Sequence, residues 1–206
     1  KEELNTGEGL LKWQKCFDCG QMFHGAVSLA LGWACWKMYL GRPETNGPRC
    51  ASLRVLGTAL RESSRPHEAL SVYEAHLALR RRYWSRDEDS LLWGQNNIAN
   101  CLDDIGRYEE ALVLVRDVYN RRVATLGGSH RSTIVSGNNL AGSLINLEQW
   151  EEAITLVRDQ LLPAARRSLG DEHDLTLAFN QNLALALVNN PERTRDGLLE
   201  AETIMQ

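Results

Sequence analysis

The sequence predicts an all-α solenoid in which antiparallel helix hairpins stack on one another. Three observations support this fold class: a motif that recurs every 42 residues, small residues at matching positions in each copy, and apolar residues at helical spacing between them. A single helical hairpin leaves one apolar face uncovered, so repeated hairpins bury that face only by stacking.

The recurring motif centres on a Glu-Ala dipeptide. It occurs in Arg65–Leu70 and Arg107–Leu112, and Gln149–Ile154 matches both without a gap. Another small residue lies twelve positions before each of these motif alanines, and two helices approach closely where a side chain is nearly absent. The residues assigned to helix packing are Gly57, Ala69, Ala99, Ala111, Ala141, Ala153 and Ala184.

Each copy is predicted to contain two helices. Apolar residues recur at helical spacing in Leu91–Ile105, which ends at Gly106, and again in Tyr108–Leu126, which ends at Gly127. The predicted hairpins cover approximately residues 49–86, 87–128, 129–171 and 172–206. Residues 1–48 are assigned to an N-terminal Cys-x-x-Cys turn, a capping helix and a linker.

The repeated residues carry a family resemblance. The pattern Asn-Asn-Leu/Ile-Ala…Gly-x-Tyr-x-Glu-Ala, closed by Leu-Gly-x-x-His, resembles the 42-residue tetratricopeptide repeats of kinesin light chain. The match covers Asn96–Ala184 and extends to Ala51–Glu88, and an insertion of about five residues follows Val188. The resemblance implies a right-handed solenoid whose first helices line a concave groove for peptide ligands. It implies a repeat scaffold and no particular cargo.

The first helix of each hairpin supplies the candidate groove residues that this resemblance implies. Asn side chains suit an extended peptide, because each amide both donates and accepts hydrogen bonds. For Asn97, Asn139 and Asn182 the alternative is that they join neighbouring helices. The groove candidates are Arg54, Thr58, Arg61, Trp93, Asn96, Asn100, Asp103, Asn138, Asn146, Gln181 and Asn189.

The charge pattern restricts the partner. A net charge of −4 argues against a dedicated nucleic-acid binder, which usually carries a basic excess. Arg54 and Arg61 near one end of the groove, with Asp103 and Asp104 further along, favour a ligand of mixed charge. Clustered arginines near the ends of second helices are expected to offset the helix dipole, and the alternative is an electropositive stripe for RNA or an acidic partner. These clusters are Arg80–Arg82, Arg121–Arg122 and Arg166–Arg167.

The N-terminal segment contains the one candidate metal site. Cys16 and Cys19 form a Cys-x-x-Cys pair that is followed by Gly20 and His24. Two thiolates on a tight turn can occupy two vertices of a tetrahedral zinc site, with His24 as a third ligand. The alternative is a metal-free turn before the next helix, and no other cofactor is expected. A thioredoxin-like redox site is not expected, because no βαβ pattern surrounds the pair.

Catalytic and membrane signals are not found in the sequence. No phosphate-binding Gly-rich loop, nucleophile elbow or His-Glu-x-x-His helix occurs, and the repeated His130 and His173 are interpreted as connector or capping residues. The longest apolar run, Gly25–Trp36, is shorter than the roughly 20 residues that span a bilayer, so a buried helix is expected. Lys1–Asn5 has no signal-peptide features, and five irregularly spaced cysteines favour a reducing intracellular setting, cytoplasmic or within an organelle.

The predicted function is therefore non-enzymatic. We expect a scaffold or adaptor that binds a peptide or partner protein in the groove, without a nucleic-acid partner or a membrane span. Two alternatives remain open at this point: a structural subunit permanently buried in a larger assembly, and the interaction portion of a zinc-finger-bearing regulatory protein.

Overall fold

The computed structural model describes residues 8–16 and 18–204. Within them every regular element is a helix, apart from one isolated antiparallel bridge between Lys15 and Met22. The predicted all-α solenoid fold is confirmed. No helix in these described ranges is long and apolar enough to cross a membrane. Lys1–Asn5, where no signal peptide is expected, lies outside the described residues.

The chain divides into two compact units, residues 1–106 and 107–206. The helices of the first unit are α1 (Glu8–Leu11), α2 (Gly25–Tyr39), α3 (Gly47–Glu62), α4 (Pro66–Tyr83) and α5 (Glu88–Ile105). Helices α2 to α5 pack consecutively, each against the next, and the single-turn α1 packs against α3. Pro66 is the first residue of α4, where its missing N–H costs no helical hydrogen bond.

The second unit continues the pattern of consecutive helix pairs. The elements are α6 (Tyr108–Leu126), α7 (Arg131–Asn146), α8 (Trp150–Thr155), a π-helical turn (Leu156–Leu161), α9 (Leu162–Leu169), α10 (Asp174–Asn189) and α11 (Arg195–Ile204). Helix α7 packs against α6 and also contacts α8 and α10. Helix α10 packs against α11.

The π-helical turn accommodates a one-residue insertion. Gly127 and Gly170 are 43 residues apart, whereas the motif alanines are spaced by 42. The N–H of Leu162 bonds to the carbonyl of Val157, five residues back, so one extra residue fits within a continuous helix. Pro163 follows directly and lacks an N–H, which favours the wider turn before it.

The small repeat residues lie inside the two units. Gly57 is buried in α3 against Tyr73 of α4, and a Cβ placed there would lie 2.7 Å from the Tyr73 ring. The six alanines that the sequence assigns to helix packing are all buried, with at most 4% of their surface exposed. They are Ala69, Ala99, Ala111, Ala141, Ala153 and Ala184.

Helix α2 is buried on one face only. Gly32 lies against α3, where an added Cβ would be 3.0 Å from the Cβ of Ala59. The opposite face is exposed, with 55% of Val27 and 56% of Met38 accessible. The expectation of a buried helix is therefore met on the α3 side alone, because no described element covers the outer side.

Three of the turns between consecutive helices contain a residue in the left-handed conformation. Ser64, Gly106 and Glu148 are spaced by 42 residues and have φ values of 57°, 85° and 56°. Ser64→Gly and Glu148→Gly should each raise the free energy of unfolding by roughly 0.5–1 kcal/mol, because glycine adopts this conformation without steric cost. Gly106→Ala should lower it by about 1 kcal/mol for the same reason. Urea unfolding followed by circular dichroism measures all three, and a loss of stability in both glycine variants would contradict the assignment.

Candidate functional site

In the first unit, the candidate residue Arg54 of α3 lies against the candidate residue Trp93 of α5. The guanidinium of Arg54 lies over the indole, with its Cζ 5.5 Å from the ring centroid. Tyr73 and His76 of α4 approach the same ring edge-on, each with centroids 5.8 Å away. Burial, together with the nearby Arg80 guanidinium, lowers the pKa of Arg54. The arrangement holds a cation against an aromatic face, where it is partly withdrawn from water.

Arg54 and Asn96 occupy equivalent positions of successive repeats, and both have unused hydrogen-bonding capacity. Arg54 is half-buried, and no carboxylate among the described residues forms an ion pair with it. Asn96 is only 7% exposed, and its Oδ1 has no hydrogen-bond partner there. Leaving a buried polar atom without a partner costs about 1–3 kcal/mol. A ligand acceptor would satisfy Arg54 directly, whereas the covered Asn96 oxygen would meet a ligand donor only after a change of rotamer.

Other candidates of this unit are engaged within the fold. The Thr58 hydroxyl donates to the carbonyl of Arg54 at 3.0 Å and lies 3.1 Å from the Tyr73 hydroxyl. Arg61 Nε donates to Asp104 Oδ2 at 2.8 Å. Because these two charges neutralise each other, the mixed charge expected along the groove is reduced at this point.

Two further groove candidates belong to α5. Both Asn100 and Asp103 are half-buried. Asn97 donates from Nδ2 to the carbonyl of Trp93 at 2.8 Å, a bond within its own helix rather than between helices.

In the second unit, the polar candidates divide into one interhelical contact and several exposed groups. Asn182 Nδ2 of α10 donates to Asn138 Oδ1 of α7 at 3.3 Å. Asn146 and Gln181 are exposed, as is Asn189, which donates to the carbonyl of Leu185 at 2.8 Å.

Helix α10 also presents apolar side chains to solvent that are not among the groove candidates predicted from the sequence. Leu177, Leu185 and Val188 are 46%, 48% and 40% exposed. They share one helical face with Gln181, so the spacing in the sequence could have identified Leu177 and Val188. The exposed face of α10 therefore offers a ligand apolar contacts, whereas the first unit offers the Arg54 cation and the Asn96 amide.

The arginines near the ends of the second helices are largely paired. Arg122 is only 4% exposed and donates to the Ser132 carbonyl and the Ser136 hydroxyl of α7. This pairing fits a role at helix ends and weighs against a continuous electropositive stripe. The other pairs are Arg80–Asp87, Arg82–Glu44, Arg121–Asp117 and Arg166–Asp171, at 3.2–3.7 Å.

The two repeated histidines cap helices. His130 accepts from the N–H of Ser132 at 3.2 Å, and His173 accepts from that of Leu175 at 3.1 Å, both through Nδ1. Each lies at the N-cap of a first helix, α7 or α10. Their interpretation as capping residues is confirmed.

The Cys-x-x-Cys pair lies on a closed turn. The Cys16 N–H donates to the carbonyl of Gln21 at 2.8 Å, and Gly20, with a φ of 71°, donates to the Cys16 carbonyl at 3.0 Å. Hydrogen bonds to the sulfur from the N–H groups of Cys19 and Asp18 lower the pKa of the Cys16 thiol.

The third candidate ligand of that turn, His24, is exposed and forms the N-cap position of α2 without a side-chain cap bond. No group of three or more His, Cys, Asp or Glu side chains is arranged for a metal ion within the part of the chain that the structure describes. Zinc at this pair stays a prediction.

Thiol reactivity should separate the five cysteines into two classes. Cys16 and Cys19 are accessible, whereas the other three are fully buried, and burial raises the pKa of Cys35 to about 11 and of Cys101 to about 12. Iodoacetamide should therefore label Cys16 and Cys19 in the native, reduced protein and label Cys35, Cys50 and Cys101 only after unfolding. Peptide mass spectrometry measures the labelling, and equal labelling of all five in the native protein would contradict the burial.

The paired helices, close contacts at small residues and repeated caps define an α-helical repeat protein built from helix hairpins. Residues 48–122 match the sequence model described as tetratricopeptide repeat. No curated protein sequence matches the chain.

Solved structures show the same fold over 86% of this chain. A single-residue variant of a putative kinesin light chain from Podosopora anserina, with nearly identical TPR-like repeats, has a TM-score of 0.72, 23% identity and 83% of its own chain covered. The form of that protein without the substitution has a TM-score of 0.69, 23% identity and 85% coverage. BtubC (BKLC) from P. vanneervenii has a TM-score of 0.66, 17% identity and 72% coverage. Residues 48–122 are thus tetratricopeptide repeats, and the chain has the fold of kinesin-light-chain-type repeats.

Proposed function

We propose that this chain is a non-enzymatic scaffold or adaptor that binds a peptide or partner protein in a concave groove lined by its first helices. The tetratricopeptide fold supports a protein-interaction scaffold in general. The proposal includes an intracellular, cytoplasmic setting and a division into an N-terminal region, residues 1–48, and about four hairpins over residues 49–206.

The observation that carries the proposal is the unused hydrogen-bonding capacity of Arg54 and of Asn96, which occupies the equivalent position of the next repeat. Arg54 holds its guanidinium on the face of Trp93, and Asn96 holds a buried amide oxygen that has no partner among the described residues. An extended peptide supplies a group for each once the Asn96 side chain turns outward, because an acidic side chain accepts from a guanidinium and a backbone N–H donates to an amide oxygen. We therefore expect a ligand with at least one carboxylate next to a backbone segment that contacts α5.

The test uses the full chain and a phage-displayed library of random peptides. Peptides enriched on the chain should contain Asp or Glu, and Arg54→Ala should weaken a selected peptide by about 10–100-fold, as expected for a lost hydrogen bond to a charged group. Fluorescence anisotropy with the labelled peptide measures the affinity. Asn96→Ala, Asn100→Ala and Asn138→Ala should also weaken binding while helicity is retained.

Arg65→Ala is the matched control. Arg65 forms an ion pair with Glu68 at 2.5 Å and precedes a second helix, so its loss should leave the peptide affinity unchanged. Equal affinity of the Arg54 variant and the unaltered chain would place the ligand elsewhere, and a library without any enriched peptide would argue against a peptide adaptor.

A further inference from the structure

One edge of the first unit carries an excess of positive charge. Short turns join its consecutive helices, so α2 and α4 end at the edge where α3 and α5 begin. The Tyr83 hydroxyl donates to Glu44 Oε2 at 2.9 Å, and this bond connects the end of α4 to the turn before α3. We call residues 37–49 and 80–89 the basic edge, and they contain seven Lys or Arg and four Asp or Glu.

Ion pairs neutralise only part of the charge of the basic edge. Arg80 pairs with Asp87 at 3.2 Å, and Arg82 pairs with Glu44 at 3.7 Å. Four further cations are exposed and form no ion pair with another described residue. They are Lys37, Arg42, Arg81 and Arg86. These four side chains are available to an anionic ligand.

The opposite edge of the same unit is acidic. Residues 61–68 and 103–106 contain two Arg and four Asp or Glu. The whole chain has a net charge of −4, so the basic edge is a local feature rather than a general property of the surface. A long polyanion that extended beyond this edge would meet negative charge, and a short anionic ligand is therefore favoured.

Three arginines of the basic edge lie over aromatic rings. The pairs, with the distance from the arginine Cζ to the ring centroid, are Arg49–Trp36 at 5.9 Å, Arg80–Trp84 at 5.3 Å and Arg82–Tyr83 at 5.1 Å. A stacked guanidinium is held in place while its N–H groups remain able to donate, so less side-chain freedom is lost when a ligand binds. Because arginine already covers a face of each ring, these rings are poorly placed to stack on nucleotide bases. The arrangement therefore favours carboxylates over a nucleic acid.

We propose that the basic edge binds a short segment of a partner protein that is rich in Asp and Glu. A carboxylate accepts two parallel hydrogen bonds from a guanidinium, and several carboxylates in succession match the several arginines of this edge. The site is separate from the groove, since its unpaired cations lie in turns and near helix ends, whereas Arg54 lies in the middle of α3. The inference is therefore independent of the groove ligand.

The test uses the full chain and fluorescein-labelled octaglutamate as the probe. Fluorescence anisotropy should show binding that weakens as NaCl is raised from about 0.05 M to about 0.3 M, because salt screens exposed charges. Arg81→Ser and Arg86→Ser in one variant should weaken binding by about 2–30-fold, as expected for the loss of two exposed ion pairs. Circular dichroism should show unchanged helicity, since both side chains are exposed.

Arg131→Ser with Arg167→Ser is the matched control, because it removes the same charge from exposed positions of the second unit. This control and Arg54→Ala should both leave the affinity for octaglutamate unchanged. An equal loss in the control, a loss in the Arg54 variant alone, or full affinity without Arg81 and Arg86 would overturn the site. So would the absence of binding at the lower salt concentration. Octauridylate that binds through the same arginines more tightly than octaglutamate would overturn the acidic protein segment in favour of a nucleic acid.

Discussion

Gly57→Ala is expected to lower the free energy of unfolding by about 1–3 kcal/mol, although alanine is the better helix former. The added methyl would lie 2.7 Å from the ring of Tyr73, which is only 1% exposed. A buried aromatic ring surrounded by packed side chains has little room to move, so α3 and α4 must separate or the ring must leave its preferred rotamer.

Tryptophan fluorescence during urea unfolding measures this effect in the first unit, because five of the six tryptophans precede residue 107. Gly142→Ala is the matched control. Gly142 lies within α7, and an added methyl there would meet nothing within 4 Å, so this variant should gain up to about 1 kcal/mol by circular dichroism. If the ring of Tyr73 is the cause, Gly57→Ala should cost far less in a Tyr73→Ala background, and an equal cost there would contradict the explanation.

The free energy of unfolding is expected to fall by about 2 kcal/mol when the pH is lowered from about 7.5 to about 5, because of His76. Burial, followed by the charges of Arg80 and Arg54, lowers the pKa of His76 from 6.5 to about 4. Between these values the unfolded chain binds a proton that the folded chain does not. The contribution of this pKa difference to the free energy of unfolding is therefore fully present above about pH 6.5, and it is lost as the pH falls towards 4.

The surroundings of His76 explain why it stays neutral. The residue is 1% exposed, neither ring nitrogen has a hydrogen-bond partner among the described residues, and the ring packs against Trp93. A proton would place a positive charge beside two guanidinium groups without any acceptor. Desolvation and like charge thus act in the same direction.

Urea unfolding at several pH values, followed by tryptophan fluorescence, measures the pH dependence. His76→Leu should remove most of it over this range, because leucine has no proton to bind and fills a similar volume. His67→Gln, which alters a histidine near the start of the same helix, should keep the dependence of the unaltered chain. A dependence that persists in the His76 variant would show that other groups cause it.

Local patterns were sufficient for most of the fold. The Glu-Ala motifs and the glycines that follow the hairpins predicted the helix pairs, because a helix in a repeat is encoded by residues near one another in the chain. The spacing of 43 rather than 42 residues between Gly127 and Gly170 is present in the sequence, but it does not specify that a π-helical turn absorbs the extra residue. The left-handed Ser64 and Glu148 were also hidden, since neither is a residue type that favours this conformation.

The candidate site depended more on long-range contacts. The spacing placed Arg54 and Arg61 on one first helix without distinguishing them, yet Asp104 pairs with Arg61 and Trp93 receives Arg54. Likewise, the pattern could not show that Asn138 would accept from Asn182 while Asn96 kept a buried oxygen without a partner in the described part of the chain. Which partner a polar group finds depends on side-chain rotamers across two helices, about 42 residues apart in the chain.

The sequence by itself therefore determined the repeat length, the helical hairpins and the class of fold. Each of these follows from periodicity and small residues, which act over a few turns of helix. Only the tertiary structure decided which charges are already neutralised, which thiols can be reached, and that the outer face of α2 is exposed. The physical reason is that burial and pairing depend on atoms brought together from distant parts of the chain, and a one-dimensional pattern does not specify their distances.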